Sequence, residues 1–307
     1  MDYLLLIAGF VLLIKGADWF VDGSASVAKR LRVPTLIIGM TIVAMGTSAP
    51  ELAVSTAAAF KGSNEIAISN VIGSNIFNLM VVCGACALFK PLSVKMSTLK
   101  VEFPISILAA GLLLFMGYFG MTFGRVDGVI LTVLFIAFLA WMVISAKNGR
   151  TDDEEEVEIM PIWKCLLFIV VGIAAIVFGG DLVVDSASAI AESFGLSENL
   201  IGLTIVAFGT SLPELVTSLV AAKKGDVDMA LGNVIGSNIF NILLILGVAG
   251  TLCPIAMLLE NLIDAVILIV MSVLVLIFAW RKQSINRVEG IAMLAMYAAY
   301  IVYICMR

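Results

Sequence analysis

One segment occurs twice in this chain, 163 residues apart: Gly39-Met-Thr-Ile-Val-Ala-Met-Gly-Thr-Ser-Ala-Pro-Glu-Leu52 and Gly202-Leu-Thr-Ile-Val-Ala-Phe-Gly-Thr-Ser-Leu-Pro-Glu-Leu215. A second segment keeps the same spacing. Ser69-Asn-Val-Ile-Gly-Ser-Asn-Ile-Phe-Asn78 returns as Gly232-Asn-Val-Ile-Gly-Ser-Asn-Ile-Phe-Asn241, identical at nine of ten positions. Asp18 and Asp22 have mates at Asp181 and Asp185, so one duplication covers most of the chain. Any architecture for the first half must therefore serve the second half as well.

The medium in which the halves fold follows from composition, since 62% of the 307 residues are hydrophobic and only 13% charged. Soluble domains run to about 45–50% apolar and about 25% charged, so this is the composition of an integral membrane protein. Runs of about 20 apolar residues, the length needed to cross the hydrocarbon core, predict ten spans: 3 to 28, 35 to 60, 65 to 89, 100 to 119, 126 to 146, 162 to 187, 200 to 222, 229 to 252, 262 to 280 and 287 to 305. Five spans in each half is an odd number. The second half must then enter the membrane from the opposite side, which makes the repeats inverted. The expected organisation is a five-helix repeat over 1–147, an acidic linker over 148–161 and a second, inverted repeat over 162–307. The opening run has no cleavage site and is taken as a retained first helix.

Lysine and arginine set the orientation, because short cytoplasmic loops carry their excess. With the N-terminus outside, 14 of the 18 basic residues fall in inner loops, among them Lys29, Arg30, Arg32, Lys90, Lys223 and Lys224. Both termini are predicted to be extracellular at the cell membrane and the 148–161 linker cytoplasmic. The net charge of -5 arises mainly in that linker and presents no basic surface to nucleic acid. Lipid and ions are the expected partners, and nothing indicates a protein partner. The five cysteines lie in apolar segments and the chain has no histidine, so neither a disulfide framework nor a zinc site is expected.

Glu51 and Glu214 are the clearest exceptions to this apolar pattern, and each follows a proline. Proline cannot donate the hydrogen bond that closes its helical turn, so Pro50 and Pro213 should break or kink their helices and free oxygens beside the glutamates. A carboxylate at membrane depth is costly and by default functional. Thr47, Ser48, Thr210 and Ser211 add hydroxyls beside the breaks. Ser74 with Asn78, and Ser237 with Asn241, lie four residues apart on one helical face and supply more oxygen. Hard cations such as Ca2+ take six to eight oxygen ligands. Two ionised glutamates balance one Ca2+, two Na+ or two protons, and competition for them is the simplest basis for exchange. Asp18, Asp22, Asp181 and Asp185 are expected either to anchor helix ends or to line cation-attracting vestibules.

These motifs, Gly46-Thr-Ser-Ala-Pro-Glu51, Gly209-Thr-Ser-Leu-Pro-Glu214, Gly73-Ser-Asn-Ile-Phe-Asn78 and Gly236-Ser-Asn-Ile-Phe-Asn241, resemble those of the cation/Ca2+ exchanger superfamily, in particular its small prokaryotic sodium/calcium exchanger branch. The resemblance spans nearly the whole chain. It implies ten helices in two inverted five-helix repeats, with the broken second, third, seventh and eighth helices around the ions and the first and sixth sliding as a gate. By position it makes Glu51 and Glu214 the shared Ca2+ and Na+ ligands. Thr47, Ser48, Thr210, Ser211, Ser74 and Ser237 become oxygen donors, and Ala44 and Ala207 contribute carbonyls. Members of this branch carry an aspartate where this chain has Asn241, opposite an asparagine at the position of Asn78. Two asparagines make the site more symmetric and less negative.

The leading expectation is a secondary antiporter exchanging Ca2+ for Na+ without a resident cofactor; the alternative is a Ca2+/H+ or other cation/proton antiporter. A passive cation channel is a different class and would need no counter-ion. No phosphate-binding Gly-rich loop points to a pump. An intramembrane hydrolase lacks a histidine base, and Asp18 and Asp181 are expected near opposite surfaces, too far apart for a catalytic pair. The chain is therefore not expected to be an enzyme.

Overall fold

The computed structural model describes residues 2–61, 64–119, 121–148, 160–194 and 207–306. It is almost entirely helical. Among the described residues, eight helices are long and apolar enough to cross a membrane, nine when the bent pair Thr35–Thr47 and Ala49–Phe60 is taken as one span. The predicted span 200 to 222 begins in residues outside the described set. Large apolar side chains such as Leu4, Ile7, Phe10, Leu134, Ile136, Leu166, Val170, Val288 and Val302 face outward from the bundle. Such a surface is stable only against lipid.

Burial divides the helices into a centre and a rim. The spans Ala67–Phe89 and Val227–Leu252 are 78% and 83% buried, against 22% for Arg125–Ala146 and 17% for Arg287–Met306. The central pair are therefore the two helices that carry the Gly-Ser-Asn segments. Each central span is built from an α-helix, a π-helical stretch and a second α-helix: α5 (Asn64–Phe77), Asn78–Val82 and α6 (Cys83–Phe89) in the first half. In the second half the order is α13 (Val227–Phe240), Asn241–Leu246 and α14 (Gly247–Leu252). The resemblance implied broken helices here, and each is interrupted by a π-helical stretch that begins at the asparagine, with right-handed helical backbone angles kept at the flanking residues.

Two-residue strands join the halves. Leu92–Ser93 pairs with Ser284–Ile285, and Thr122–Phe123 with Ile255–Ala256, both antiparallel. In each ladder one strand comes from either half. Cys83, Cys86 and Cys165 are buried with free thiols.

The longest helices, α1 (Asp2–Leu31) and α10 (Ile162–Ser193), lie antiparallel along one side of the bundle. Their approach is set by glycine. A Cβ on Gly16 would sit 2.9 Å from the Gly172 carbonyl oxygen, and one on Gly179 would sit 2.9 Å from that of Gly9. The two backbones are thus in direct contact, the kind of packing that small residues permit between membrane helices.

The far end of α1 is pinned to α12 (Leu212–Lys224) by charge. Lys224 Nζ lies 2.6 Å from Asp18 Oδ1 and 2.7 Å from Asp22 Oδ1, and it donates to the Asp18 carbonyl at 3.0 Å. Asp226, in the turn just beyond α12, has its carboxyl held above the usual range by burial, offset in part by Lys29 and Lys224. The repeat mates of Asp18 and Asp22, Asp181 and Asp185 on α10, are exposed. Replacing Lys224 by alanine removes a bridge between two helices that is still partly solvated, so the expected cost is about 1 kcal/mol. Faster backbone hydrogen exchange confined to 15–31 and 212–226 is the measurement that checks it.

Candidate cation site

Both Pro-Glu segments interrupt their helices where the proline requires it. In the first half the helical run Thr35–Thr47 gives way at Ser48 (φ -83, ψ 12) to α4 (Ala49–Lys61), with a bend of 49°. In the second, Ser211 (φ -93, ψ 4) stands between α11 (Ala207–Gly209) and α12, with Pro213 in the first turn of α12. Proline is tolerated in a first turn because its nitrogen needs no partner there. Each glutamate follows its proline, so it too enters the first turn of a helix, where the macrodipole favours negative charge. Glu51 and Glu214 are both 0% exposed.

The glutamates are held across the halves. Ser48 Oγ donates to Glu214 Oε1 at 2.7 Å, and Ser211 Oγ lies 3.2 Å from Glu51 Oε1. These two contacts are the same contact under the 163-residue spacing, which brings both breaks to one centre. Ser211 Oγ also lies 3.2 Å from Ser74 Oγ, joining the first Gly-Ser-Asn helix to this centre. Thr47 Oγ1 donates to Asn233 Oδ1 at 3.1 Å, and Ser237 Oγ reaches the same oxygen at 3.5 Å. Thr210 stands beside Glu51 with its hydroxyl buried. The Ala44 carbonyl accepts from Ser48 N at 3.0 Å and lies 3.4 Å from Thr47 Oγ1. Ala207 opens α11.

Asn78 and Asn241 do not turn their amide nitrogens to the glutamate of their own half. They clasp the opposite half instead. Asn78 Nδ2 donates to Asn238 Oδ1 at 3.1 Å, and Asn241 Nδ2 to Asn75 Oδ1 at 3.0 Å. Asn75 and Asn238 in turn donate to each other's main-chain carbonyls, at 3.1 and 3.2 Å. The four amides thus cross-link the two central helices at their π-helical stretches.

Asn233, with its mate Asn70, had not been singled out from the sequence. Asn233 Nδ2 lies 2.9 Å from Ser218 Oγ, and Asn70 Nδ2 lies 3.0 Å from Ser55 Oγ. Both asparagines stand at the second position of the repeated ten-residue segment. A polar residue kept at the same place in both copies of an apolar motif was the available signal.

Four acceptor oxygens in this centre are buried with no hydrogen-bond partner: Glu51 Oε2, Glu214 Oε2, Asn78 Oδ1 and Asn241 Oδ1. Buried polar atoms are normally satisfied, and orphaned ones call for an explanation such as an ion or water. Every side chain named in the network around the two glutamates is neutral. The arrangement offers carboxylate, amide and hydroxyl oxygens, the ligand set of a hard cation. Among the described residues no group of three or more His, Cys, Asp or Glu side chains is placed to hold a metal ion.

Comparison with known proteins identifies the family. The family described as sodium/calcium exchanger protein matches residues 1–144 and 164–306. The putative antiporter CaxA of Alkalimonas amylolytica is 41% identical over 312 residues, covering 96% of each chain. The sodium/calcium exchanger MaX1 of Methanosarcina acetivorans is 33% identical over 347 residues, covering 98% of each. Among solved structures, the sodium-calcium exchanger NCX_Mj soaked with 10 mM Na+ and 10 mM Sr2+ superposes with a TM-score of 0.87 at 36% identity, covering 98% of this chain and 97% of that one. The chain therefore belongs to the sodium/calcium exchanger family, as a multi-pass membrane transporter that exchanges Ca2+ and other cations rather than an enzyme.

Proposed function

We propose that this protein exchanges Ca2+ for Na+ across the cell membrane, both ions binding in turn at one centre between Glu51 and Glu214. The observation that carries the reading is the reciprocal pair of contacts Ser48–Glu214 and Ser211–Glu51, which draws two fully buried carboxylates to one place and leaves one oxygen of each without a partner. In this reading Thr47, Ser48, Thr210, Ser211, Ser74 and Ser237 supply hydroxyl oxygens, Asn78 and Asn241 amide oxygens, and Ala44 and Ala207 carbonyls. Loading with one ion displaces the other because the carboxylates are shared.

In this reading access to the centre alternates between the two sides of the membrane. The end of α1 is latched to α12 through Lys224, while Asp181 and Asp185, the mates of its partners, are exposed. With the repeats over 1–147 and 162–307, both termini outside and the 148–161 linker inside, the latched end faces the cytoplasm. The conformation is then closed inward, and its counterpart is reached when the first and sixth predicted helices slide.

The test is Ca2+ uptake into proteoliposomes with Na+ and proton gradients imposed separately. An outward Na+ gradient is expected to drive uptake. Uptake driven by an outward proton gradient with no response to Na+ would replace the sodium reading with the proton one. Flux without any counter-ion would make the protein a channel.

A further inference from the structure

Asn233 is outside the proposed ligand set, yet four groups at the edge of the centre converge on its amide. The side chain is 0% exposed. Its Nδ2 lies 2.9 Å from Ser218 Oγ and 3.4 Å from the main-chain carbonyl of Glu214. A carbonyl can only accept, so this contact turns the amide nitrogen toward α12 and leaves Oδ1 facing the hydroxyls of Thr47, at 3.1 Å, and Ser237, at 3.5 Å. Thr47 comes from the broken helix of the first half and Ser237 from the next turn of α13. One amide oxygen thus gathers a hydroxyl from each half.

A hydroxyl has one proton and two lone pairs, so it ligates a cation only with its proton turned elsewhere. In a buried centre that proton needs an acceptor, because a donor left unpaired carries its full desolvation cost. Thr47 and Ser237 also stand beside the Glu214 carboxylate, which gives each hydroxyl a second place to direct its proton. A cation on Glu214 closes that option, since it occupies the carboxylate and repels the proton. Oδ1 of Asn233 is then the acceptor that both hydroxyls share. Thr47 has further acceptors in the carbonyls of Val43 and Ala44, at 3.1 and 3.4 Å, so the greater dependence falls on Ser237. We propose that Asn233 is a positioning residue of the cation site: its Oδ1 takes the hydroxyl protons of Thr47 and Ser237 and so turns both oxygens toward an ion held by Glu214. The proposal rests on the site centred on Glu51 and Glu214.

The experiment is Ca2+ titration of the purified full-length protein carrying Asn233→Leu, which keeps the volume and removes the acceptor, in the parent chain and in Thr47→Val and Ser237→Ala backgrounds. In the parent chain the change should weaken Ca2+ binding about tenfold to 100-fold. The loss should shrink by about threefold or more in each background, and most in Ser237→Ala, because the hydroxyl served by Oδ1 is already gone. An equal loss in all three would make Asn233 a brace for α12 alone and overturn the proposal, as would unchanged binding in the parent chain. Asn233→Asp decides the matter if Asn233→Leu yields no folded protein: it keeps the acceptor but not the amide donors to Ser218 and the Glu214 carbonyl, so it should bind Ca2+ at least as tightly as the parent. Weakened binding by Asn233→Asp would overturn the proposal. Glu51→Gln and Glu214→Gln, titrated alongside, test the site itself: parent-like binding in both removes the site and the proposal together, whereas their loss of binding leaves the site standing whatever Asn233 does.

Discussion

Glu51→Gln and Glu214→Gln are each expected to abolish Ca2+ exchange while leaving a folded protein in the membrane. Glutamine keeps the shape of the side chain and an oxygen that can still accept from Ser211 or Ser48. What it removes is one of the two charges facing the ion. At an effective dielectric of about 20, unit charges about 4 Å apart interact by about 4 kcal/mol and a divalent cation with a carboxylate by about twice that, so losing one carboxylate should weaken Ca2+ binding by more than about 10³-fold. Stability should move the other way. Each glutamate has an oxygen buried with no partner, so without Ca2+ the variants are expected to melt at or above the temperature of the parent protein. Uptake assays and thermal melts of the same preparations check both parts. Near-normal exchange in the two variants would remove Glu51 and Glu214 from the site.

Gly236→Val is expected to have the largest effect on folding. The first broken helix crosses α13 with backbone against backbone: a Cβ on Gly236 would lie 2.5 Å from Met40 Cα and 2.7 Å from its carbonyl oxygen. One turn away, a Cβ on Gly232 would lie 2.4 Å from the Leu36 carbonyl oxygen. Neither neighbour is a flexible side-chain tip, so the helices must separate. We place the cost at about 3 kcal/mol, the upper end of the usual overpacking range. Separation would also disrupt the site, because α13 carries Asn233, Ser237 and Asn238 and leads directly into Asn241. Loss of monodisperse protein, or a large fall in melting temperature with loss of transport, is the expected outcome. Gly111→Ala is the control: nothing lies within 4 Å of its added Cβ, so it should be neutral or stabilise by up to about 1 kcal/mol.

Much of this fold can be read from the chain because membrane helices announce themselves by length and polarity. Predicted edges of 3 to 28 and 162 to 187 compare with Asp2–Leu31 and Ile162–Ser193. The helices outrun the apolar runs because polar ends such as Lys29-Arg30 and Glu192-Ser193 continue the same hydrogen-bonding pattern beyond the hydrophobic stretch. The breaks at Ser48 and Ser211 were equally legible, since proline removes a donor wherever it stands.

The spacing of the repeats gave the candidate residues but not their pairing. That Ser48 reaches Glu214 rather than Glu51 depends on how the halves interlock, and nothing local to either copy encodes it. The π-helical stretches were likewise invisible, since Asn78–Val82 has the composition of any buried membrane helix. The sequence places Asn78 and Asn241 on a helical face with Ser74 and Ser237, and only the packed structure reveals the clasp that turns their nitrogens across to the other half. Asn70 and Asn233 lay in plain view within the repeated segment. Their role as braces to Ser55 and Ser218 required a neighbouring helix.

The central claim is that one centre built on Glu51 and Glu214 serves both ions, and equilibrium binding tests it most directly. Purified protein should be titrated with Ca2+ at rising Na+, alongside the Glu51→Gln and Glu214→Gln variants. The account expects one Ca2+ per chain, displaced competitively by Na+, with binding lost in either variant. Ca2+ binding that persists in both variants, or that is indifferent to Na+, would contradict it.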